Sequence, residues 1–229
     1  MSVDFVIRPC RDEAEFMQVV DSILLPSFPA SELASLPEFR EGFASGLFLH
    51  EVAFDPAAGT ALGAAIGTAP SGVDDVILLT WLAVGQDGRG RGVGGALLDH
   101  AVSKWLSQFH PALIVGEVED PRFHVGSPAT GDPQARLRFY LRHGARVIDT
   151  PFVMPLVAAD AERVDHMLLL AFGGNAISAS APAGALGQAV ERFVRRYVES
   201  SPEPRDAQGR YLPQVENMLA RASQAKLRL

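Results

Sequence analysis

The chain has 229 residues, a hydrophobic fraction of 48% and a formal net charge of −7, which predicts one large domain, or one domain with an appendage. This acidic balance argues against nucleic acid as a partner and suits a small cationic substrate better, because nucleic-acid-binding proteins carry a basic patch. The single cysteine, Cys10, excludes an internal disulfide and a cysteine-based zinc site and is typical of the reducing cytoplasm. We find neither a signal peptide nor an apolar run near the ~20 residues that cross a membrane, so the sequence predicts a cytoplasmic protein with no membrane partner.

The first part of the chain predicts a strand, two helical regions and a three-stranded meander. Apolar residues recur at helical spacing between residues 16 and 24, and a second helical region after Ser31 is interrupted by Pro37. Apolar runs separated by turn residues predict strands at Val3–Arg8, Leu47–Phe54, Thr60–Thr68 and Val76–Val84. The last of these strands is nearly all apolar, so we place it in the middle of the sheet.

The middle of the chain alternates helices and strands. An apolar stripe from Leu97 to Phe109 predicts the clearest helix, and the strand after it must return beside Val76–Val84 in a right-handed crossover. Asp132-Pro133 is typical of a helix start, and Gly144 of the end of that helix. The predicted strands of this part are Ala112–Val118, Ala145–Met154 and His166–Phe172, which together indicate an α/β (α+β) protein.

A C-terminal helical extension is predicted over residues 174–229. The segment from Leu186 to Val198 carries an apolar stripe that an isolated helix could not keep in water. This stripe must cover the sheet of its own chain, a second subunit in a homodimer, or the mouth of a binding site. A last helix near residues 215–222 is expected to carry exposed basic residues, which are Arg221, Lys226 and Arg228.

A glycine-rich run lies between the strand Val76–Val84 and the following helix, and it reads Arg89-Gly90-Arg91-Gly92-Val93-Gly94-Gly95. Glycines let the backbone turn tightly and approach a ligand closely. The free N–H groups of the first helical turn and the helix dipole then favour an anion. Because two arginines add positive charge at the same place, the run predicts binding of a ligand with a diphosphate.

Two nucleotide interpretations of this run are weaker. The spacing Gly90-x-Gly92-x-x-Gly95 matches the dinucleotide fingerprint, with Glu117 or Glu119 near the place of a ribose-binding acid. Such loops follow the first strand of their domain, however, and here helices and a meander come first. A nucleoside-triphosphate loop is excluded because no Gly-Lys-Ser/Thr follows the glycines.

The run from Arg89 to Gly94 resembles the acyl-CoA signature of the GNAT (N-acetyltransferase) superfamily, Arg/Gln-x-x-Gly-x-Gly/Ala after the fourth strand, at every fixed position. The order of the predicted elements through residue 173 is similar to that of the family. The resemblance implies a GNAT-like mixed central sheet of about seven strands with a splayed fourth/fifth pair, flanked by helices. It makes residues 1–173 the acyl-CoA-binding catalytic domain and leaves residues 174–229 outside the family core.

The resemblance also implies acetyl-CoA as the cosubstrate. The strand end formed by Leu82, Ala83 and Val84 would hydrogen-bond the pantetheine arm, and N–H donors near this strand would polarise the thioester carbonyl. The residues that would hold the pyrophosphate are Arg89, Gly90, Arg91, Gly92, Val93, Gly94 and Gly95.

Tyr140 belongs to a second motif of this family, Tyr-x-x-x-Gly-Phe at the end of the helix after the fifth strand. The chain keeps the spacing from Tyr140 to Gly144, but Ala145 replaces the Phe, and Pro133 replaces an Asn that often precedes the Tyr. By resemblance, the Tyr140 hydroxyl would protonate the departing CoA thiolate. The alternative is a half-buried packing residue with a solvated hydroxyl.

Two carboxylates are candidates for the base that deprotonates the acceptor amine. Strand alternation places Glu117 and Glu119 on the same face at the end of the fifth strand. Glu117 is deeper, so desolvation would raise its pKa more and make it the better base, and Glu119 would bind a cationic acceptor. His124, in a loop predicted over residues 120–131, is a weaker second candidate that could line the acceptor site.

The sequence therefore predicts an N-acyltransferase that moves an acetyl group from acetyl-CoA directly to an amine of a small molecule or peptide. Two alternatives stay open: a binding module of the same fold that senses acyl-CoA without catalysis, and a dinucleotide-dependent oxidoreductase. The six histidines do not have the spacing of metal ligands, so no metal is expected. The sequence also lacks the Gly-x-Ser-x-Gly motif, which disfavours a serine hydrolase.

Overall fold

The computed structural model describes residues 5–69, 72, 75–126, 131–159, 161 and 163–228. Positions 3 and 4 of the first predicted strand lie outside these residues. The strands are β1 (Val6–Arg8), β2 (Leu49–Phe54), β3 (Ala61–Thr68), β4 (Val76–Val84), β5 (Leu113–Glu119), β6 (Arg146–Asp149), β7 (Met167–Gly173) and β8 (Lys226–Leu227). The α-helices are α1 (Glu13–Val19), α2 (Leu36–Ala44), α3 (Val93–Phe109), α4 (Pro133–Arg142), α5 (Ala185–Glu199) and α6 (Pro213–Arg221).

The strands follow the order β1-β2-β3-β4-β5-β7-β6-β8 in a mixed sheet, one strand more than the sequence indicates. The Leu113 N–H donates to the Asp75 carbonyl oxygen at 3.0 Å where both strands begin, so β4 and β5 run parallel. The pairs β1–β2, β2–β3, β5–β7, β6–β7 and β6–β8 are antiparallel. The splay of the fourth and fifth strands stays a prediction.

The chain divides into two compact units, drawn from Met1–Ala69 with Leu79–Gln108 and from Pro70–Leu78 with Phe109–Leu229. Strand β4 contributes to both, because its first three residues group with β5 and its remaining residues with β3. The predicted division at residue 173 stays a prediction, since the described part of the extension lies in the same unit as β5 and β7.

The first unit packs helices on both faces of its strands. An aromatic cluster joins α1 and α2 to one face, and its members are Phe16, Phe39, Phe43, Phe48 and Trp81. The other face of β2 carries Glu51, whose buried carboxylate accepts from Lys104 Nζ of α3 at 2.6 Å. Because this carboxylate is paired, burying it is tolerated, and α3 is held over the meander.

The second helical region is divided as predicted, into a 3-10 turn, Ala30–Glu32, and α2, but the break precedes Pro37, which lies in the first turn of α2. Ser35 caps the helix and exchanges hydrogen bonds with Glu38 in a capping box. Pro37 lies in the first turn, where a helical N–H has no intrahelical acceptor and its absence costs nothing. The first helix extends beyond α1 by a π-helical turn, Val20–Leu24, which completes the predicted segment.

The second unit has α5 on one face of β5 and β7 and α4 on the other. Glu117 of β5 pairs with Leu169 of β7, and the next pair is Val118 with Leu168. The cluster on the α5 side contains Leu113, Val115, Leu169, Ala171, Val190, Phe193, Val194 and Val198. The cluster on the α4 side contains Val118, Leu168, Leu170, Leu137 and Tyr140. The apolar stripe of α5 therefore covers the sheet of its own chain.

The expected last helix is present as α6 and has Arg221 in its last turn, but a strand follows it, so the other two basic residues do not lie on the helix. Helix α6 ends at Arg221, and Lys226 lies in β8, which pairs with β6. Arg228 follows this strand and contacts Asp149 of β6 at 3.2 Å. Backbone pairing with an open sheet edge satisfies N–H and C=O groups that a helical continuation would leave at the surface.

Replacing Phe193 by alanine is expected to lower the free energy of unfolding by about 3–5 kcal/mol, because the ring is fully buried between α5 and the sheet. Urea denaturation measures the loss. Arg195→Ala is the control on the same helix, since its exposed side chain contacts only Glu191 among the ion pairs described, and we expect a change within about 0.5 kcal/mol. Equal effects of the two substitutions would contradict this packing.

Candidate functional site

The glycine-rich run begins on a base that is fixed against β3. A single 3-10 turn, Gln86–Gly88, follows β4, and the Gly85 N–H donates to the Leu62 carbonyl oxygen at 2.9 Å. A Cβ on Gly88 would lie 2.5 Å from that same oxygen, so only glycine allows this approach. The loop therefore leaves the sheet at a defined point.

Gly90 and Gly92 have φ angles of +72° and +76°, in the left-handed region that disfavours other residues. No atom lies within 4 Å of a Cβ built on either glycine. Their conformation, and not crowding by neighbouring atoms, thus requires glycine here. The space in front of this backbone is open and can admit a ligand.

The first turn of α3 presents N–H groups without intrahelical acceptors beside these glycines. The Ala96 N–H donates to the Gly92 carbonyl oxygen at 3.1 Å, so the preceding N–H groups of Val93, Gly94 and Gly95 have no acceptor within the helix. The first turn contains no acidic side chain. Arg89 and Arg91 are exposed, and Arg91 also donates to the Asp87 carbonyl oxygen at 3.3 Å. This arrangement fits a diphosphate, because the helix dipole and both guanidinium groups favour negative charge.

The predicted pantetheine contacts lie at the end of β4 in the same unit. Ala83 is buried in the aromatic cluster of α1 and α2, and Leu82 and Val84 are half-buried. Their role toward a bound cosubstrate stays a prediction.

Glu117 carries a buried carboxylate with one satisfied oxygen. Its Oε2 accepts a hydrogen bond from the Tyr197 hydroxyl of α5 at 3.2 Å, and its Oε1 is buried without a partner among the described residues. Burial raises the pKa of Glu117 to about 7, and the Tyr197 hydrogen bond opposes this rise. A carboxyl that titrates near neutral pH and has one oxygen without a hydrogen-bond partner is suited to accept a proton from a group that reaches it.

Glu119 and His124 lie together, and Arg136 of α4 joins them. His124 Nδ1 is 3.8 Å from one Glu119 oxygen, and Arg136 Nη1 is 3.2 Å from the other. Glu119 thus already has a cationic partner. His124 Nε2 lies 2.7 Å from the Asp165 carbonyl oxygen, so Nε2 carries the proton and Nδ1 faces Glu119. Residues 127–130 of the predicted loop lie outside the described residues.

Tyr140 is half-buried on the α4 side of the sheet. Its ring meets Phe172 edge-on at a centroid distance of 5.5 Å and Phe139 at 5.3 Å. Burial raises the pKa of the Tyr140 hydroxyl, and nearby Arg136 opposes this rise. Gly144 has a φ of +83° and ends α4, which explains the glycine four residues after the tyrosine.

The structure does not bring Tyr140 and Glu117 to one face of the sheet. Glu117 shares its face with Leu169 and α5, whereas Tyr140 packs with Val118 and Leu168 on the opposite face. The residue that does meet Glu117 is Tyr197, which sequence reasoning assigned only to an apolar stripe. The sequence showed its helical spacing from Phe193 and Val194, but no sequence pattern indicated its contact with the Glu117 carboxylate.

The structure gives little support to a covalent cysteine intermediate or to a metal site among the described residues. Burial raises the pKa of Cys10 to about 12, which keeps the thiol protonated and disfavours a covalent acyl-cysteine step. The described residues hold no group of three or more His, Cys, Asp or Glu side chains placed to bind a metal ion. Within the described part of the chain, no helix is both long and apolar enough to cross a membrane.

No family model and no curated protein matches the sequence. Many solved structures match this chain, and two of them illustrate the similarity in fold. One is a candidate acetyltransferase of the GNAT family from Bacteroides thetaiotaomicron, with a TM-score of 0.61 and 20% identity over 84% of this chain and 98% of that chain. The other is a GNAT superfamily phosphinothricin acetyltransferase from Sinorhizobium meliloti, in complex with acetyl-CoA. Its TM-score is 0.51, with 14% identity over 79% of this chain and 96% of that chain. At these identities the likeness concerns the fold.

Proposed function

From the GNAT fold of this chain, we propose that it is an N-acyltransferase that uses acetyl-CoA and an amine acceptor. The observation that carries the proposal is the left-handed glycine pair Gly90 and Gly92, with open space at both Cβ positions, before the first turn of α3, which contains no acidic side chain. The pair occupies the position after the fourth strand at which the acyl-CoA signature is expected. The function of the S. meliloti neighbour, and the acetyl-CoA in its complex, support the same assignment.

The loop residues of the first unit would hold the cosubstrate. The N–H groups of Val93, Gly94 and Gly95 donate to the pyrophosphate, and Arg89 and Arg91 neutralise its charge. The backbone of residues 82–84 binds the pantetheine arm. When bound, acetyl-CoA supplies the activated acyl group.

Two residues of the second unit would move protons. Glu117 Oε1 takes a proton from the acceptor amine, and its pKa of about 7 leaves a large fraction of the carboxyl ionised at neutral pH. Tyr140 gives a proton to the departing sulfur, since its raised pKa keeps the hydroxyl protonated. The N–C bond forms and the C–S bond breaks at the same acyl carbon, so the reaction requires both groups to reach that centre without contacting each other.

A second candidate function is acyl-CoA binding without transfer. The opposite placement of Glu117 and Tyr140 on the sheet favours it, because a proton-transfer pair on one face would have been the stronger sign of catalysis. A turnover screen of acetyl-CoA with amines, peptides and aminoglycosides, with free thiol as the readout, separates the two functions. Release of thiol that depends on one acceptor supports the transferase, and its absence with intact CoA binding supports the binding module.

The dinucleotide-dependent oxidoreductase is disfavoured by the fold. A dinucleotide loop follows the first strand of a parallel sheet. Here the loop follows the last strand of the meander, whose pairs β1–β2 and β2–β3 are antiparallel. Retention on CoA-agarose but not on a dinucleotide resin is the expected result.

Replacing Gly92 by aspartate is expected to lower CoA affinity by several-fold or more, because it adds a negative charge and a side chain at the diphosphate site. Titration calorimetry with CoA measures the change. Gly209→Asp is a matched control, since Gly209 is also exposed, has a φ of +79° and has no atom within 4 Å of a built Cβ. Both variants carry the same backbone strain and charge. Equal CoA affinity in the two variants would overturn the cofactor assignment.

A further inference from the structure

We propose that Tyr197 of α5 is a positioning residue for Glu117, which holds one carboxylate oxygen so that the other is left for the acceptor amine. This inference rests on the proposed role of Glu117 as the base. It gives the C-terminal extension, which the sequence analysis places outside the family core, a role in the reaction.

The contact between the two residues is direct. The Tyr197 hydroxyl lies 3.2 Å from Glu117 Oε2, and Glu117 Oε1 is buried without a partner among the described residues. A buried polar atom without a hydrogen bond is costly, so it is usually matched by a water or a ligand. The unmatched oxygen is therefore the one whose hydrogen bond is left for the acceptor amine to supply on binding.

Helix α5 is held firmly enough to place the hydroxyl. Phe193, Val194 and Val198 are fully buried against the sheet, on the same side of the helix as Tyr197. Arg192 adds a two-pronged ion pair to Asp75, with its nitrogens 2.9 Å and 2.7 Å from the two carboxylate oxygens. Because Asp75 directly precedes β4 and accepts from Leu113 of β5, this pair ties α5 to the start of the strand that carries Glu117.

Among the residues that the structure describes, Tyr197 is the titratable group that changes the pKa of Glu117. From β7 the register partner is Leu169, and from α5 the neighbouring buried residues are Phe193 and Val194. Glu119, two residues along β5, is engaged by Arg136 and His124. Burial and the nearby Glu117 raise the pKa of Tyr197 well above its ordinary value, so the hydroxyl stays protonated and donates throughout the neutral range.

The direction of the effect follows from this donation. A hydrogen bond to the ionised carboxylate stabilises its charge and lowers the pKa that burial has raised. Without the hydroxyl, Glu117 would ionise at higher pH, and less of the base would be available near neutral pH. A hydroxyl with a packing role alone would affect stability but would not change the titration of Glu117.

The test is Tyr197→Phe, which keeps the ring in the apolar cluster and removes the hydroxyl. Carboxyl-carbon NMR on protein labelled at glutamate follows the titration of Glu117, whose signal is assigned by its loss in Glu117→Gln. We expect the titration midpoint to rise by about one pH unit, the size of one charge-assisted hydrogen bond. Tyr211→Phe is the control, because its hydroxyl contacts Arg205 in the same unit, and it should leave the midpoint unchanged.

The pH dependence of kcat/KM provides the second readout. It should shift to higher pH by the same amount in Tyr197→Phe, and the substitution should have no further effect when Glu117 is already glutamine. An unchanged NMR midpoint in a folded Tyr197→Phe protein overturns the positioning role. A shifted midpoint in a protein that acetylates no tested acceptor would instead overturn the base role of Glu117, and with it the proposed function, while leaving the contact in place.

Discussion

Replacing Glu117 by glutamine is expected to lower kcat/KM by about 10²–10⁴-fold, the usual contribution of a general base. Glutamine keeps the shape of the side chain and can still accept from Tyr197, but it cannot take a proton from the amine. In the parent protein, kcat/KM should rise with pH through about 7 as Glu117 ionises. The variant should lose this rise along with the activity, which steady-state kinetics across neutral pH would measure.

The same substitution is expected to change stability in the opposite direction. The folded-state pKa of Glu117, about 7, lies above its ordinary value of 4.5, so the folded protein binds more protons than the unfolded chain between these values. The free energy of unfolding therefore falls as pH rises from about 4.5 to about 7, and this loss is complete above pH 7. Because Glu117→Gln removes this loss, its stability relative to the parent should increase over that window by on the order of 3 kcal/mol.

Glu191→Gln is the control for both measurements. Its carboxylate lies on the exposed side of α5 and pairs with Arg195, so its loss should affect neither kcat/KM nor the pH dependence of stability. A Glu117→Gln protein that retains parental kcat/KM would show that water or another group deprotonates the amine. A relative stability that does not change with pH would show that Glu117 is not desolvated.

Replacing Tyr140 by phenylalanine is expected to lower kcat by about 10²–10⁴-fold with CoA affinity nearly retained. The ring contacts with Phe139 and Phe172 persist, and only the proton donor is lost. The departing thiolate would then leave without protonation. Calorimetry with CoA and single-turnover kinetics separate binding from the chemical step.

The chain contains three tyrosines, and Tyr211→Phe again serves as the control, because its hydroxyl contacts Arg205 and neither proposed catalytic group. A Tyr140→Phe enzyme with a kcat within twofold of the parent would mean that the thiolate is protonated by something else, such as water. Tyr140 would then be a packing residue of the α4 cluster. Because Tyr140 and Glu117 lie on opposite faces of the sheet, this experiment decides between a catalytic and a packing role for Tyr140.

Features set by neighbouring residues could be predicted from the sequence. The start of α4 depends on Asp132 and Pro133 and its end on Gly144, and the structure confirms all three. The glycine loop is equally local, since the strand before it, the left-handed glycines and the helix after it are consecutive. The apolar character of β4 correctly placed that strand in the interior of the sheet order.

The site in the second unit was only partly predictable. Alternation along β5 placed Glu117 and Glu119 on one face of the sheet. The position of Glu117 deeper in the strand correctly predicted that burial raises its pKa. The partners of the two carboxylates are distant in the sequence, however. Tyr197 is 80 residues from Glu117 and Arg136 is 17 residues from Glu119. Spacing within one element cannot indicate such contacts.

The order of strands and the use of the C-terminus were decided by the tertiary structure. Strand β7 lies between β5 and β6, and β8 adds to the edge of β6, which no local pattern indicates. The stripe of α5 required a cover, but three surfaces could have supplied it. The sequence determined the phosphate-type loop and the elements, because these depend on backbone conformation and hydrophobic period. Packing alone determined that α5 covers β5 and brings Tyr197 to Glu117, because burial of an apolar face depends on which distant surface complements it.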